Sequence, residues 1–473
     1  MKLFKYFLKF KNKIAIFDKT YSNLTFQQVI NQTNDLKKVI RSRSLILIIS
    51  ENTIGSLIAY IFCLINNHVA IIIDSKTENH NLIKIFQKYQ PNYIFLSKKR
   101  FSFLKKKCLK KKYLFDQILI KNKVSRKVNL NKDLSLLLST SGTMGSIKFV
   151  KLSKKNLKHN TDSIIKYLKI NKNDSAIINL PISYSYMLSI INTHLEVGAS
   201  IVISKNSIIE KDFWNIYKSH KITSFNGVPF TYEILNKIGI NNIKSKSLRY
   251  LTHAGGKIDN KSLTKLLNFC SKNKLKFFSM YGQTEASPRI SYLDPKFSKN
   301  KLGSIGKGLK ENKIYIVNEN NKKISKPFTE GEIVCVGKNI FMGYSKGLGD
   351  LIKPSETNYS LKTGDLGYFD KEGFFYISSR LGKIAKIFGY RVDIEALENA
   401  MNKKGFKVVC LDNKNKISVF TEKKYNKNLL IQTISKISNL NIRSFSMIKL
   451  KYFPRTSNNK ISYNELKKIN DRL

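Results

Sequence analysis

The sequence predicts an α/β protein: a large N-terminal domain of mainly parallel sheets with helices, a β-rich subdomain, and a small α+β C-terminal domain. Three observations carry this. Short β-rich runs alternate with helix-period stretches up to about Leu302, and such alternation means crossover units on a largely parallel sheet. From Leu302 the texture turns to strands separated by Gly, Asn and Pro turn signals. After Arg380 a short tail returns to mixed helix and strand. The boundaries are expected at 1–379 for the large domain, with its β-rich part at about 302–379, and at 384–473 for the small one.

The elements follow in order. Leu45–Ile49, Val69–Ile73 and Tyr93–Leu96 read as strands, and Phe26–Ile40 and Asn81–Tyr89 as amphipathic helices. Asn52 to Ile73 contains no Asp, Glu, Lys or Arg, which invites comparison with a membrane span. Asn66-Asn67-His68 divides it, so the reading is a buried helix Ile54–Ile65 followed by a buried strand. Ser175–Leu180 and Ser200–Ser204 are expected strands, and Lys154–Leu168 and Ser262–Asn273 expected helices. Lys313–Val317, Gly331–Val336 and Gly373–Ile377 form the β-rich part. The tail holds helices at Ile394–Lys403 and Leu429–Ser438, with strands at Lys407–Leu411 and Ile417–Thr421.

Composition bounds the function. The chain has 473 residues, 42% of them hydrophobic, enough for a large core and too many for one ordinary domain. Its formal charge is +53. The positive residues are spread along the chain, which fits coding bias better than a nucleic-acid footprint, and no specific nucleic-acid partner is expected. The densest basic cluster, Lys98 to Lys112, interleaves lysines with Phe101, Phe103 and Leu109. It reads as a solvated loop or helix face, with peripheral contact to anionic lipid as the alternative. Five scattered cysteines predict the reducing cytoplasm rather than disulfides or a zinc site. Met1–Tyr6 intersperses lysine with apolar residues, so a signal peptide is not expected.

The chemistry starts at Thr140-Ser141-Gly142-Thr143-Met144-Gly145-Ser146-Ile147-Lys148, which follows the strand-like Leu134–Leu138. Glycines let backbone N–H groups turn toward an anion, hydroxyls add donors, and lysine adds charge. The segment is a phosphate cradle without Walker spacing. Downstream come Tyr281-Gly282-Gln283-Thr284-Glu285, Gly331-Glu332-Ile333, Met342-Gly343-Tyr344, Lys362-Thr363-Gly364-Asp365, Ser379-Arg380, Gly389-Tyr390-Arg391-Val392 and Pro454 to Ile461. Together, in this order, they resemble the adenylate-forming superfamily of acyl-CoA synthetases, peptide-synthetase adenylation domains and luciferases. The resemblance runs from Leu24 to Leu466.

That resemblance implies stacked sheets, a mobile C-terminal domain, and ATP and Mg²⁺ as cofactors. It implies that Thr140, Ser141, Gly142, Thr143, Gly145 and Lys148 hold the β- and γ-phosphates. Met144, Ile147 and Phe149 stand where the family has Thr, Pro and Gly. Thr284 would bond the α-phosphate and Glu285 would hold Mg²⁺. Tyr281, with Gly282 and Gln283, would flank the adenine, and Gly255 and Gly256 would lie along the purine. Asp365 would take the ribose hydroxyls beside Arg380. Lys460 matches the catalytic lysine, with Asn459 replacing the usual glycine; Asn tolerates positive φ. Gly382 occupies the hinge position within 380–383, and Glu398 matches a further acid.

Amino-acid-activating relatives carry an Asp in the region that here reads Leu180 to Met187 without an acid. An unpaired substrate ammonium buried there would be costly. A carboxylic acid without an α-amino group is therefore expected, in a pocket of Tyr184, Tyr186, Asn226 and Pro229, as in acyl-CoA synthetases. The acceptor is expected to be the thiol of CoA or of an acyl carrier protein's phosphopantetheine. An amino-acid–carrier ligase, and a basic anion-surface-binding protein on an inactive synthetase fold, are the other readings.

Overall fold

The structure is a computed structural model of the chain. It describes all residues except 1, 2, 5, 6, 22, 102–107, 124–127, 140–147, 382, 383, 388, 389, 414, 415, 439, 457, 458 and 473. Its contacts divide it into two units, 1–313 with 335–361, and 314–334 with 362–473. The α/β class expected from the sequence is what the structure has.

In the first unit the described strands form two large sheets. Leu45–Ser50 pairs in parallel with Val69–Asp74 on one side and Tyr93–Ser97 on the other. All six of its residues are buried, as the unbroken apolar run demands of a strand covered on both faces. Val69–Asp74 also pairs with Leu134–Ser139, which turns back antiparallel onto Phe149–Ser153. The expected phosphate loop joins these last two strands; Thr140 to Ile147 lie outside the described residues. In the second sheet, Ile14–Phe17, Ser200–Ile203, Ser175–Ile178, Ser224–Gly227, Tyr250–His253 and Lys276–Gly282 are successive parallel neighbours. Arg289–Leu293 then adds antiparallel to the last.

The helices form where the sequence caps them. Lys154–Leu168 begins at Ser153, whose hydroxyl accepts from Asn156 N–H while Asn156 returns the bond. Ile54–Ile65 is buried from Ile54 to Leu64, and Ser185–Glu196 is buried throughout. The Tyr60 hydroxyl donates to Asn192 Oδ1 at 3.0 Å and ties these two helices together. Among the described residues no helix is long and apolar enough to cross a membrane. Trp214 sits in an aromatic cluster on helix Lys211–Ser219, stacked on Phe225 with ring centroids 6.1 Å apart.

The basic cluster is described only at its two ends. Lys98–Phe101 is a single helical turn, Ser102–Lys107 lies outside the described residues, and Cys108–Leu114 is a strand antiparallel to Gln117–Asn122. That strand lies at a sheet edge, where lysines discourage pairing with another chain.

The second unit holds a sheet with Lys313–Val317, Gly331–Val336, Ser360–Phe369 and Phe375–Arg380 as successive strands. It also holds the hairpin Ile384–Ile387/Tyr390–Asp393 and the sheet Val408–Asn413, Lys416–Thr421, Phe445–Lys449. Helices Ile394–Lys403 and Lys427–Ser438 cover a core that includes Leu397, Met401, Val419 and Leu430. Glu398 is a structural acid here. It accepts from Cys410 N–H at 2.6 Å and from the Tyr463 hydroxyl at 3.4 Å.

Candidate functional site

Strand Lys276–Gly282 ends at a residue that can only be glycine. A Cβ on Gly282 would lie 1.8 Å from the Pro288 carbonyl oxygen. The chain passes through Gln283, makes a single 3-10 turn at Thr284–Ala286, and returns as Arg289–Leu293 with a bulge at Tyr281/Gly282. This turn presents the expected nucleotide residues. Thr284 Oγ1 lies 3.3 Å from Ser185 Oγ. Glu285 is buried, and its Oε1 accepts from the Tyr344 hydroxyl at 3.0 Å. Tyr281 is buried in the strand opposite Ser291.

Tyr344 is the residue that sequence reasoning passed over. Met342-Gly343-Tyr344 was visible as a motif, but its role depends on neighbours far along the chain. Tyr344 pairs with Val150 across the sheet edge, which brings it beside Lys148. The Lys148 Nζ stands 3.3 Å from the centroid of the Tyr344 ring, a cation–π contact. One phenol therefore holds the phosphate-loop lysine on its face and the acidic residue on its hydroxyl.

Of the residues expected in an acyl pocket, Tyr184, Tyr186 and Asn226 lie within one network of contacts. Tyr184 caps helix Ser185–Glu196 and meets Tyr186 edge-on at 6.1 Å. The Tyr186 hydroxyl reaches Thr252 Oγ1 at 2.5 Å, and Thr252 donates to Asn226 Oδ1 at 2.6 Å. Burial pushes the Tyr186 phenol well above the ordinary tyrosine range, with the Arg289 charge opposing it. Pro229 opens helix Pro229–Ile238, and its ring packs where a Cβ on Gly256 would come within 3.0 Å. Gly255 takes a φ of +86°, open to glycine alone at low cost.

In the second unit Asp365 and Arg380 face each other across adjacent antiparallel strands, 3.2 Å apart. Thr363 Oγ1 accepts from Asp365 N–H at 3.1 Å and donates to the Ile333 carbonyl at 2.8 Å, fixing the Thr363-Gly364-Asp365 turn. Lys460 sits on a tight turn. Asn459 has a φ of +58°, as expected of an Asn replacing Gly, and Thr456 N–H donates to the Lys460 carbonyl at 2.7 Å. Gly382, the expected hinge residue, lies outside the described residues, as do Thr140, Ser141, Gly142, Thr143 and Gly145.

The model of the AMP-binding enzyme family matches residues 4–345. The chain belongs to that family. Among its relatives is a 2-succinylbenzoate–CoA ligase of Bacillus velezensis, 31% identical over 56% of this chain and 53% of the relative. Another is a long-chain-fatty-acid–CoA ligase of Bacillus subtilis, 28% identical over 58% of this chain and 49% of the relative. The chain thus matches about half the length of these relatives. A solved structure of the O-succinylbenzoate CoA synthetase of Bacillus subtilis with ATP and magnesium ion has the same fold. It matches with a TM-score of 0.72 at 21% identity, over 96% of both chains.

Proposed function

We propose that this AMP-binding enzyme activates a carboxylic acid with Mg·ATP as an acyl-adenylate, releases pyrophosphate, and passes the acyl group to the thiol of CoA. The observation that carries this is the Lys148–Tyr344–Glu285 arrangement: a cation and a carboxylate fixed on one phenol, beside Thr284. Joining two anions requires positive charge and fixed donors where charge develops. In this reading Thr140 to Lys148 take the β- and γ-phosphates and Thr284 the α-phosphate. Tyr281, Gly282, Gln283, Gly255 and Gly256 border the adenine.

Glu285 fits Mg²⁺, a hard cation bound by one or two carboxylates together with phosphate oxygens. The ion would neutralise phosphate charge. Asp365 is suited to the two ribose hydroxyls because one carboxylate accepts two O–H bonds at once. Arg380 holds that carboxylate in place, and Lys460 supplies the cation between the substrate carboxylate and the α-phosphate. Gly382 provides a backbone free to turn between the two half-reactions. CoA is preferred over a carrier protein because both relatives above are CoA ligases. The absence of an acid from Leu180 to Met187 favours substrates without an α-amino group.

Purified protein with Mg·ATP, hydroxylamine and a panel of fatty, aryl, hydroxy and amino acids tests this reading. At least one acid should release pyrophosphate and yield a hydroxamate. Lys460→Ala should slow that step on the order of 10²-fold or more. Thioester formation from a supplied acyl-adenylate should persist in the variant. An inert wild-type protein, or an unchanged Lys460→Ala rate, would sink it.

A further inference from the structure

Lys151 lies in strand Phe149–Ser153, just past Lys148, and its side chain is wholly buried. It is enclosed by a loop that runs from Met342 to Glu356. The loop is closed at its neck, where Glu356 N–H donates to the Met342 carbonyl at 2.9 Å and the Thr357 hydroxyl to the Phe341 carbonyl at 2.5 Å. Lys151 enters this loop from the strand. Its N–H donates to the Gly343 carbonyl at 2.9 Å, and its carbonyl accepts from Met342 N–H at 2.8 Å. Its Nζ donates to the Asp350 carbonyl at 3.2 Å and stands 3.4 Å from Glu356 Oε1. The Glu356 side chain is 51% exposed, so a carboxylate at the surface holds a cation in the interior. Gly343 makes room for it, since a Cβ there would lie 2.8 Å from Glu356 Oε2.

Burying a charge is costly, and a methionine would fill similar space without that cost. What the ammonium adds is direction. Its donors reach the far side of the loop and the residue that closes it at the same time. The loop carries Tyr344, which pairs with Val150, the strand neighbour of Lys151. The neck reaches the acidic turn, where Phe341 N–H donates to the Glu285 carbonyl at 2.8 Å. One buried cation thus joins the strand that follows Lys148, the loop that bears Tyr344, and the backbone at Glu285.

Building on the ligase reading above, we infer that Lys151 is a positioning residue for Mg·ATP. By holding Glu356 and the Asp350 carbonyl, it sets where the Tyr344 phenol stands between Lys148 and Glu285. It acts through Tyr344.

Calorimetric titration of the full chain with ATP in excess Mg²⁺ tests this without turnover, so the choice of acid does not enter. Lys151→Met should weaken binding about tenfold, as expected when a hydrogen bond to a charged group is lost. In the Lys151→Met background, Tyr344→Phe should cost little more, because the phenol it alters is already displaced. Glu356→Gln, which keeps an acceptor for the ammonium, should bind ATP better than Glu356→Ala. Urea midpoints are measured on the same samples. A lower midpoint with unchanged affinity would overturn the inference, since Lys151 would then serve the fold alone. So would full additivity of Lys151→Met and Tyr344→Phe. If Lys151→Met does not fold, Glu356→Ala combined with Tyr344→Phe takes its place, with the same outcomes. A wild-type chain that does not bind Mg·ATP is a different result, which would overturn the ligase reading and this inference with it.

Discussion

At the scale of single residues, the site rests on Tyr344. Its hydroxyl fixes Glu285 and its ring fixes Lys148. The two contributions separate by mutation. Tyr344→Phe keeps the ring and removes one hydrogen bond to a carboxylate, worth about 1.5–3 kcal/mol. The Mg²⁺ concentration for half-maximal pyrophosphate release should rise about tenfold, while the acid KM stays near its wild-type value. Equal shifts in both would place Tyr344 in the fold rather than at the ion site. The role of Tyr344 was not legible in the sequence: Met342-Gly343-Tyr344 showed as a motif, but Tyr344 meets Lys148 and Glu285 only once sheet pairing sets it opposite Val150.

At the scale of elements, the sequence was more forthcoming. Ile54–Ile65, Lys154–Leu168 and Ile394–Lys403 form over the residues expected, because a charge-free run, a Ser153 cap and a clear 3.6-residue period each act locally. Lys154–Leu168 could be read without knowing what it packs on. The hairpin Cys108–Leu114/Gln117–Asn122 could not, since a lysine-rich edge strand has no apolar alternation to read. Turns impose the strictest element-level demand. Gly282 lets two strands of one hairpin approach until a methyl group would overlap the Pro288 carbonyl. Gly282→Ala must open the turn that carries Thr284 and Glu285. The expected result is destabilisation by about 3 kcal/mol or more, read as a lower urea midpoint, with pyrophosphate release lost in the fraction that still folds. An unchanged midpoint with full activity would show that the turn relaxes freely.

At the scale of the whole molecule, acid sensitivity follows from buried imidazoles. His68 Nδ1 accepts the Ser44 N–H at 3.2 Å, so the ring must stay neutral at that atom. Burial, reinforced by the Arg43 charge, lowers its pKa from 6.5 to about 4, and burial lowers His253 to about 3. The unfolded chain binds these protons first. The stability they lend is complete above pH 6.5 and is lost as pH falls through about 4 for His68 and about 3 for His253. Urea midpoints of the full chain should decline across that window. His68→Gln, which keeps an acceptor for Ser44, should make the decline shallower. A slope indifferent to that change would assign the acid sensitivity to other groups.

The aromatic cluster around Trp214 has a practical side. The chain contains a single tryptophan, so its intrinsic red-edge fluorescence comes from one known place. That indole is nearly enclosed, its Nε1 donates to the Ile208 carbonyl at 2.8 Å, and its ring stacks on Phe225. Phe225 is the strand neighbour of Asn226, a residue expected to line the acyl pocket. The protein thus carries its own optical probe one residue from where the acid is expected to bind. Emission wavelength and quenching by acrylamide can follow the entry of a substrate without a label, before any bond is made.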